Sequence, residues 1–258
     1  MDRRIGAQFY TLREHIQNIE DFDTTCKKVS EIGFKTVQIS GTTLEAKPMR
    51  EILDKYNLQA VTSHRSFDDF KKNLDAIIEY NKILGIDLCG IGSMPFEYTK
   101  SNDSLSQFIK EANTMCEILE KENMYFGYHN HAFEFALIDG KLIFDRLVKE
   151  TNPKIFNFIA DTYWLQIGGK NPCDVIKSLG KRAMAIHFKD SGIDANNWTS
   201  PCMREVGKGN LNWDAIIEAC DEAGSRWALI EQDTNWVDND PFKALKTSYD
   251  YLTQKGFN

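Results

Sequence analysis

QAVTSHRSFDDFKKNLDAIIEYNKILGIDLCGIG, residues 59–92, holds one complete repeat of the pattern that decides the fold. It opens on a short β-type run, QAVTSH from Gln59, passes into the amphipathic stretch DDFKKNLDAIIEYNKILG, and returns to a β-type run, DLCGIG from Asp87. The middle stretch has helical periodicity and closes on Gly85, and a glycine just past the last periodic residue is a common helix stop. Strand, helix and strand in that order imply two parallel strands joined by a crossover helix.

The alternation continues in both directions. The other β-type runs are IGAQFYT from Ile5, TVQIS from Thr36, MYFGYHNH from Met124, FNFIADT from Phe156, AMAIHFKD from Ala183 and WALIEQD from Trp227, eight in all. Helical patterns such as DFDTTCKKVSEIG, SLSQFIKEANTMCEILEKEN and NWDAIIEACDEAG lie between them, and DPFKALKTSYDYLTQKG follows the last. Eight such units in 258 residues predict an α/β protein, a closed (β/α)8 TIM barrel occupying residues 1–258 as a single domain. An open doubly wound sheet would carry a glycine-rich turn after its first strand, and AQFYTLRE has none. The longest expected loop runs from Ser191 to Leu211, and loops of that length are usually functional or disordered.

Bulk properties exclude several function classes. No apolar run approaches the roughly 18 residues that span a bilayer, so no membrane association is expected. The first residues, MDRRIGAQFYTLREH, show no secretory signal, which makes a cytoplasmic location the expectation. A net charge of -7 disfavours nucleic acid as a partner, because binding to phosphate backbones relies on a basic footprint. The cysteines are scattered without a C-x-x-C pair and are expected to be reduced and buried.

In a barrel of this kind the chemistry sits at the C-terminal ends of the strands. His64 ends the third run, His129 and His131 the fifth, Asp161 the sixth, His187 the seventh, and Glu231 and Asp233 the eighth. His129 and His131 are two apart, so an extended chain aims both the same way. Burying this many ionisable groups together costs several kcal/mol unless they pair or coordinate a cation. Imidazole and carboxylate donors in one set suit Mn2+, Zn2+, Co2+ or Fe2+, with Mg2+ less natural as nitrogen ligands increase. Weaker candidates are Gln8 and Gln38 as amide partners for ligand hydroxyls and Lys189, which shares the inward parity of His187, as a partner for an oxyanion or phosphate. Arg204, Glu205 and the GKGN segment (residues 207–210) lie in the long loop, where glycines let backbone N–H groups approach an anion. Phe9, Tyr10, Tyr163 and Trp164 offer apolar faces to a ligand.

With GAQFYTLRE, YHNHAFEF, ADTYWLQIGGKNP, AIHFKD, EVGKGNLNW and ALIEQD in this order, the chain resembles the xylose isomerase-like barrels known as sugar phosphate isomerases/epimerases. That group also includes inosose isomerases, ketose 3-epimerases, a dehydroshikimate dehydratase and the endonuclease IV proteins. The resemblance implies one divalent metal ion held by a Glu, an Asp, a His and a second Glu at the ends of strands five to eight. It carries over to Asp161, His187 and Glu231 and departs at strand five, where His129 stands at the position of the first Glu. His129 is therefore expected as the fourth ligand with His131 acting on substrate, or the two with roles exchanged. Glu134 is a weaker stand-in, because strand parity turns it away unless the chain turns after His131.

The implied function is a metal-dependent sugar isomerase or epimerase, acting on a sugar, sugar phosphate or keto-sugar by proton transfer next to a carbonyl. Glu231 would work on one side and His129 or His131 on the other, with His64, Lys189, Arg204, Gln8 and Glu205 binding substrate. The alternatives are a metal-assisted lyase or hydrolase on a keto-sugar or related polyol, and a non-catalytic sugar-binding relative. The resemblance also implies a homo-oligomer. The endonuclease branch is disfavoured, because it needs a trinuclear zinc centre and a surface that tolerates DNA.

Overall fold

Each β-type run is too short to bury its own apolar groups, and the chain solves this by closing the eight of them on one another. The computed structural model describes residues 1–258, the side chain of residue 198 apart. Strands β1 (Ile5–Gln8), β2 (Thr36–Ile39), β3 (Gln59–Arg65), β4 (Leu88–Ile91), β5 (Tyr125–His129), β6 (Phe156–Asp161), β7 (Ala183–Phe188) and β8 (Trp227–Ile230) pair in parallel in chain order, and β8 bonds to β1. Around them run α1 (Ile19–Ile32), α2 (Ala46–Lys55), α3 (Phe67–Leu84), α4 (Asn102–Lys121), α5 (Ile143–Glu150), α6 (Thr162–Ile167), α7 (Pro172–Leu179), α8 (Trp213–Ala223) and α9 (Pro241–Thr253). The expected TIM barrel is the observed one.

Two apolar layers hold this shape. Outward strand residues pack against the helices in a large core that includes Phe22, Phe67, Phe70, Phe108 and Phe158. Inside the barrel a smaller cluster of Val61, Leu88, Ile159, Met184, Ala185, Trp227 and Leu229 fills the axis. This inner plug forms a dry floor, and the polar ends of the strands stand above it. Register then fixes which of those ends are neighbours: Asp161 pairs with His187 across β6 and β7, and Leu229, two residues before Glu231, pairs with His187 across β7 and β8. The wall is tight at Gly90, where a Cβ would run into the Gly127 carbonyl on β5.

The segment expected as a long loop is partly ordered. Asp190–Asp194 and Asn197–Arg204 form an antiparallel hairpin, so only the stretch from Glu205 to α8 is irregular. A second hairpin, Leu137–Ile138 with Lys141–Leu142, turns at Asp139 and Gly140, both at positive φ. Asp-Gly is the pair that such a tight turn favours. Among the described residues no helix is long and apolar enough to cross a membrane.

Candidate metal centre

Four buried side chains from consecutive strands converge above the apolar floor. One donor atom each from His129, Asp161, His187 and Glu231 lies within 4.8 Å of every other. His129 Nε2 is 3.3 Å from Asp161 Oδ2 and 3.9 Å from Glu231 Oε2, and His187 Nδ1 is 2.8 Å from Glu231 Oε2 and 3.9 Å from Asp161 Oδ2. Ligands about 2.1 Å from a shared ion stand roughly 3.0–3.4 Å apart, so modest movement would bring all four onto one ion.

The surroundings orient each donor. His129 Nδ1 donates to the Gly92 carbonyl at 2.9 Å, and a carbonyl can only accept, so the Nε2 lone pair points inward. His187 Nε2 donates to Gln38 Oε1 at 2.8 Å, which leaves Nδ1 facing the cluster without a hydrogen-bond donor to satisfy it. Fixing the outer nitrogen in this way is how metal-binding histidines are held. Asp161 caps α6 by accepting from Trp164 N at 2.9 Å through Oδ1, which frees Oδ2 for the cluster. Gln8 donates to Glu231 Oε1 at 3.3 Å.

Charge in the cluster points the same way. Lys189 is 1% exposed and its Nζ lies 2.6 Å from Asp233 Oδ2, 3.3 Å from Glu231 Oε2 and 3.6 Å from Asp161 Oδ2. Burial alone would lower its pKa, but Glu231, Asp161 and Asp233 outweigh that and raise it. Burial opposes ionisation of Glu231, yet the Lys189 ammonium 3.3 Å away holds its carboxyl well below the ordinary range. Burial, together with repulsion from Glu231, pushes Asp233 up to about 6. Three carboxyl groups therefore face one ammonium, and against the opposing effect of burial Asp161 and Glu231 raise the pKa of the His129 imidazole, so the cluster draws positive charge toward the two rings. That donor set and that charge fit a divalent cation.

The sequence candidates separate cleanly in the folded chain. Gln8, His64, His129, His131, Lys189 and Glu231 line a cavity of about 270 Å3, together with Tyr10, Ser40, Gly92, Ser93 and Asp233. His131 packs edge-on against His129 with ring centroids 4.8 Å apart, and its buried Nδ1 has no partner. Desolvation, with His129 alongside, holds His131 down to about 3, so it is an uncharged imidazole near neutrality. Desolvation and then the imidazoles of His129 and His187 keep His64 neutral as well.

Arg204 and Glu205 do not line that cavity. Arg204 sits on the hairpin opposite Asp190, and buried Glu205 accepts from Val237 N at 2.8 Å and Gln232 Nε2 at 3.4 Å, tying down the chain after β8. Gln38 stands behind His187 rather than toward a sugar. Lys189 is engaged by its own carboxylates and not free for a phosphate. The GKGN backbone does wrap an anion, but an internal one: Asp190 accepts from Gly207 N at 2.9 Å, Gly209 N at 3.1 Å, Leu211 N at 3.2 Å and Trp213 Nε1 at 2.7 Å. Gly209 is required there, because a Cβ would collide with the Asp190 carboxylate.

The chain does turn after β5, through a short helical turn at Phe133–Phe135, and Glu134 ends up behind the wall. It accepts from the Tyr128 hydroxyl at 2.8 Å and from His131 N at 2.8 Å, and stands apart from the four-donor cluster. Burial raises its pKa from 4.5 to about 7 against the pull of those two donors. The folded protein thus keeps a proton that the unfolded chain releases, and this contribution, complete below pH 4.5, is lost as pH rises through about 7. Glu134→Gln is expected to exceed the wild type in stability at pH 8 by up to ~3 kcal/mol, with the gap closing toward pH 5. A urea-unfolding difference that stays constant between those pH values contradicts the assignment.

Gly92, Ser93, Asn130 and Asp190 carried no sequence signal. Gly92 acts through its carbonyl, Ser93 lines the cavity, and Asn130 Oδ1 accepts from Asp161 N at 3.0 Å. Asp190 ends the HFKD stretch and drew no notice because its partners lie 17 to 23 residues onward.

Comparison with known proteins agrees with the barrel. An inosose dehydratase from Geobacillus thermodenitrificans (strain NG80-2) is 23% identical over 155 residues, which is 55% of this chain and 51% of that protein, so the match spans about half of the curated relative. A solved sugar phosphate isomerase/epimerase from Parabacteroides distasonis ATCC 8503 superposes with a TM-score of 0.79 at 22% identity, covering 96% of this chain and 97% of the other. A D-psicose 3-epimerase with D-tagatose, from Clostridium cellulolyticum H10, superposes with a TM-score of 0.69 at 16% identity over 97% and 98% of the two chains. At these identities the superpositions speak for the fold. Residues 26–255 match the family model for the xylose isomerase-like TIM barrel, and the chain belongs to that family.

Proposed function

We propose that the protein is a metal-dependent sugar isomerase or epimerase that moves a proton on the carbon beside a carbonyl. The observation that carries this reading is the convergence of four buried donor atoms, from His129, Asp161, His187 and Glu231, within 4.8 Å of one another. His129, Asp161, His187 and Glu231 would hold the ion, which supplies Lewis acidity toward a sugar carbonyl. In this reading His129 replaces the first carboxylate of the family pattern and leaves His131 for the substrate.

His131 is the group placed to contact the substrate. Its ring lies in the cavity with an unpartnered nitrogen, and burial beside His129 holds it uncharged, which makes it a neutral hydrogen-bond partner for a substrate hydroxyl. Its plane is held by His129 on one side and by Trp164, 5.2 Å away, on the other. Glu231 lines the same cavity, and Gln8 orients its Oε1, so it is the group to handle a proton on the opposite face. Lys189 keeps Glu231 ionised for that purpose. The apolar plug below the site keeps its floor dry.

Elimination is the second reading, because the partial relative is an inosose dehydratase and the same proton removal precedes loss of a β-hydroxyl. One experiment tests both. Protein loaded with Mn2+ and incubated in D2O with a panel of ketoses and keto-sugars is expected to place deuterium on the carbon next to the carbonyl, and EDTA is expected to stop it. Exchange without a shift to a dehydrated product assigns isomerisation or epimerisation. No exchange with any member of the panel contradicts both.

A further inference from the structure

The cavity above the four-donor cluster is not closed. It shares His64, Gly92 and Ser93 with a second, more open cleft of about 610 Å3 between the ends of β2, β3 and β4. The inner cavity, about 270 Å3, falls below the roughly 300–1,000 Å3 of pockets that take drug-sized ligands, and it suits one sugar ring. The outer cleft has room for a second.

The lining of that outer cleft is rich in groups that bond to hydroxyls: Gln17, Thr43, Arg65, Ser66, Asp68 and Asp69. At the junction, His64 Nε2 is buried without a partner. Beside it stands Tyr10, 41% exposed, packed against Gly41 of the outer cleft while lining the inner one. Arg13 lies over the Tyr10 ring at 4.8 Å from its centroid, and the ring surface left exposed beside the hydrogen-bonding side chains is one a pyranose can pack on.

Charge narrows the ligand further. Arg65 is the cation of the outer cleft; it donates to the Thr42 carbonyl at 3.1 Å and lies over the Tyr80 ring at 4.1 Å from its centroid. Asp68 and Asp69 face the same space, so an anion there would meet two carboxylates for one guanidinium. In the inner cavity the Lys189 ammonium is taken by three carboxylates. Neither cavity presents an unopposed cation to a phosphate.

From this geometry we infer that the substrate is an uncharged two-unit carbohydrate: a keto-sugar in the inner cavity beside Tyr10, bearing a glycosyl unit that lies in the outer cleft against Thr43 and Arg65. The inference rests on the proposed sugar chemistry for its inner half, while the outer subsite stands on its own lining.

The test separates the two. Calorimetric titration of Mn2+-loaded protein compares D-fructose and D-fructose 6-phosphate with turanose, maltulose, leucrose and isomaltulose, which place a glucosyl unit on different fructose oxygens. At least one disaccharide is expected to bind roughly tenfold tighter than fructose, the equivalent of one or two net hydrogen bonds, and the phosphate no tighter. Thr43 is exposed and outside the donor cluster; Thr43→Trp is expected to fill the outer cleft, erase the disaccharide gain and leave fructose affinity unchanged. A panel in which no disaccharide exceeds fructose, a tighter phosphate, or a gain that survives Thr43→Trp overturns the inference. Disaccharide preference without deuterium exchange in D2O would sink the proposed reaction and leave the subsite intact.

Discussion

Glu231→Gln is expected to lose more than 100-fold in affinity for Mn2+, while the metal-free protein keeps its fold and its melting temperature. Replacing an orienting partner of a ligand already costs about 10–100-fold, so removal of a charged ligand should exceed that. In stability terms a 100-fold loss takes away about 2.7 kcal/mol of metal-linked stabilisation at saturating metal. The metal-free form should not suffer, because Asp161 and Asp233 remain to face Lys189 when the Glu231 carboxylate is gone. Thermal melts with and without Mn2+ read both effects at once. A variant that melts early without metal yet shifts as far as wild type with it would mean that Glu231 serves packing and not coordination.

Lys189→Met is expected to act in the opposite sense, on the metal-free protein. The ammonium is buried among Asp233, Glu231 and Asp161, and Met fills similar volume without the charge. Removing one partner of a buried ion pair typically costs about 3–5 kcal/mol, because the remaining charge is stranded away from water. Exposed pairs elsewhere on this surface, such as Lys27 with Glu31, would cost at most ~1 kcal/mol. Mn2+ should restore part of the loss, since it supplies positive charge to the same carboxylates. Urea unfolding gives the number. A cost below about 1 kcal/mol would show that Lys189 is not the internal counter-ion described above.

These two residues also mark where sequence reading works and where it stops. The barrel was legible because β-type runs alternate with helical patterns, several of them closing on a glycine, so order alone implied parallel closure. The corners at Asp161, His187 and Glu231 were legible because each sits at the end of its run, and the strand-five departure to His129 was visible as a residue type. What the corners lean on was not. The carbonyl of Gly92 has no side chain to betray it, and the Gln38–His187 contact spans 149 residues. Lys189 showed its inward parity, but whether an inward lysine meets a substrate or a carboxylate is set by the register of β7 against β8. Glu134 shows the same limit: a single turn after His131 carried it through the wall to Tyr128. The GKGN segment did bind an anion through its backbone, and only the fold reveals that the anion is Asp190.

Anomalous diffraction from a crystal soaked in Mn2+ tests the central claim most directly. The account predicts one strong peak, with His129 Nε2, Asp161, His187 Nδ1 and Glu231 all within about 2.4 Å of it and with Lys189 turned toward Asp233. A peak that excludes His129, or an empty cluster at saturating Mn2+ with the ion found elsewhere, would contradict it.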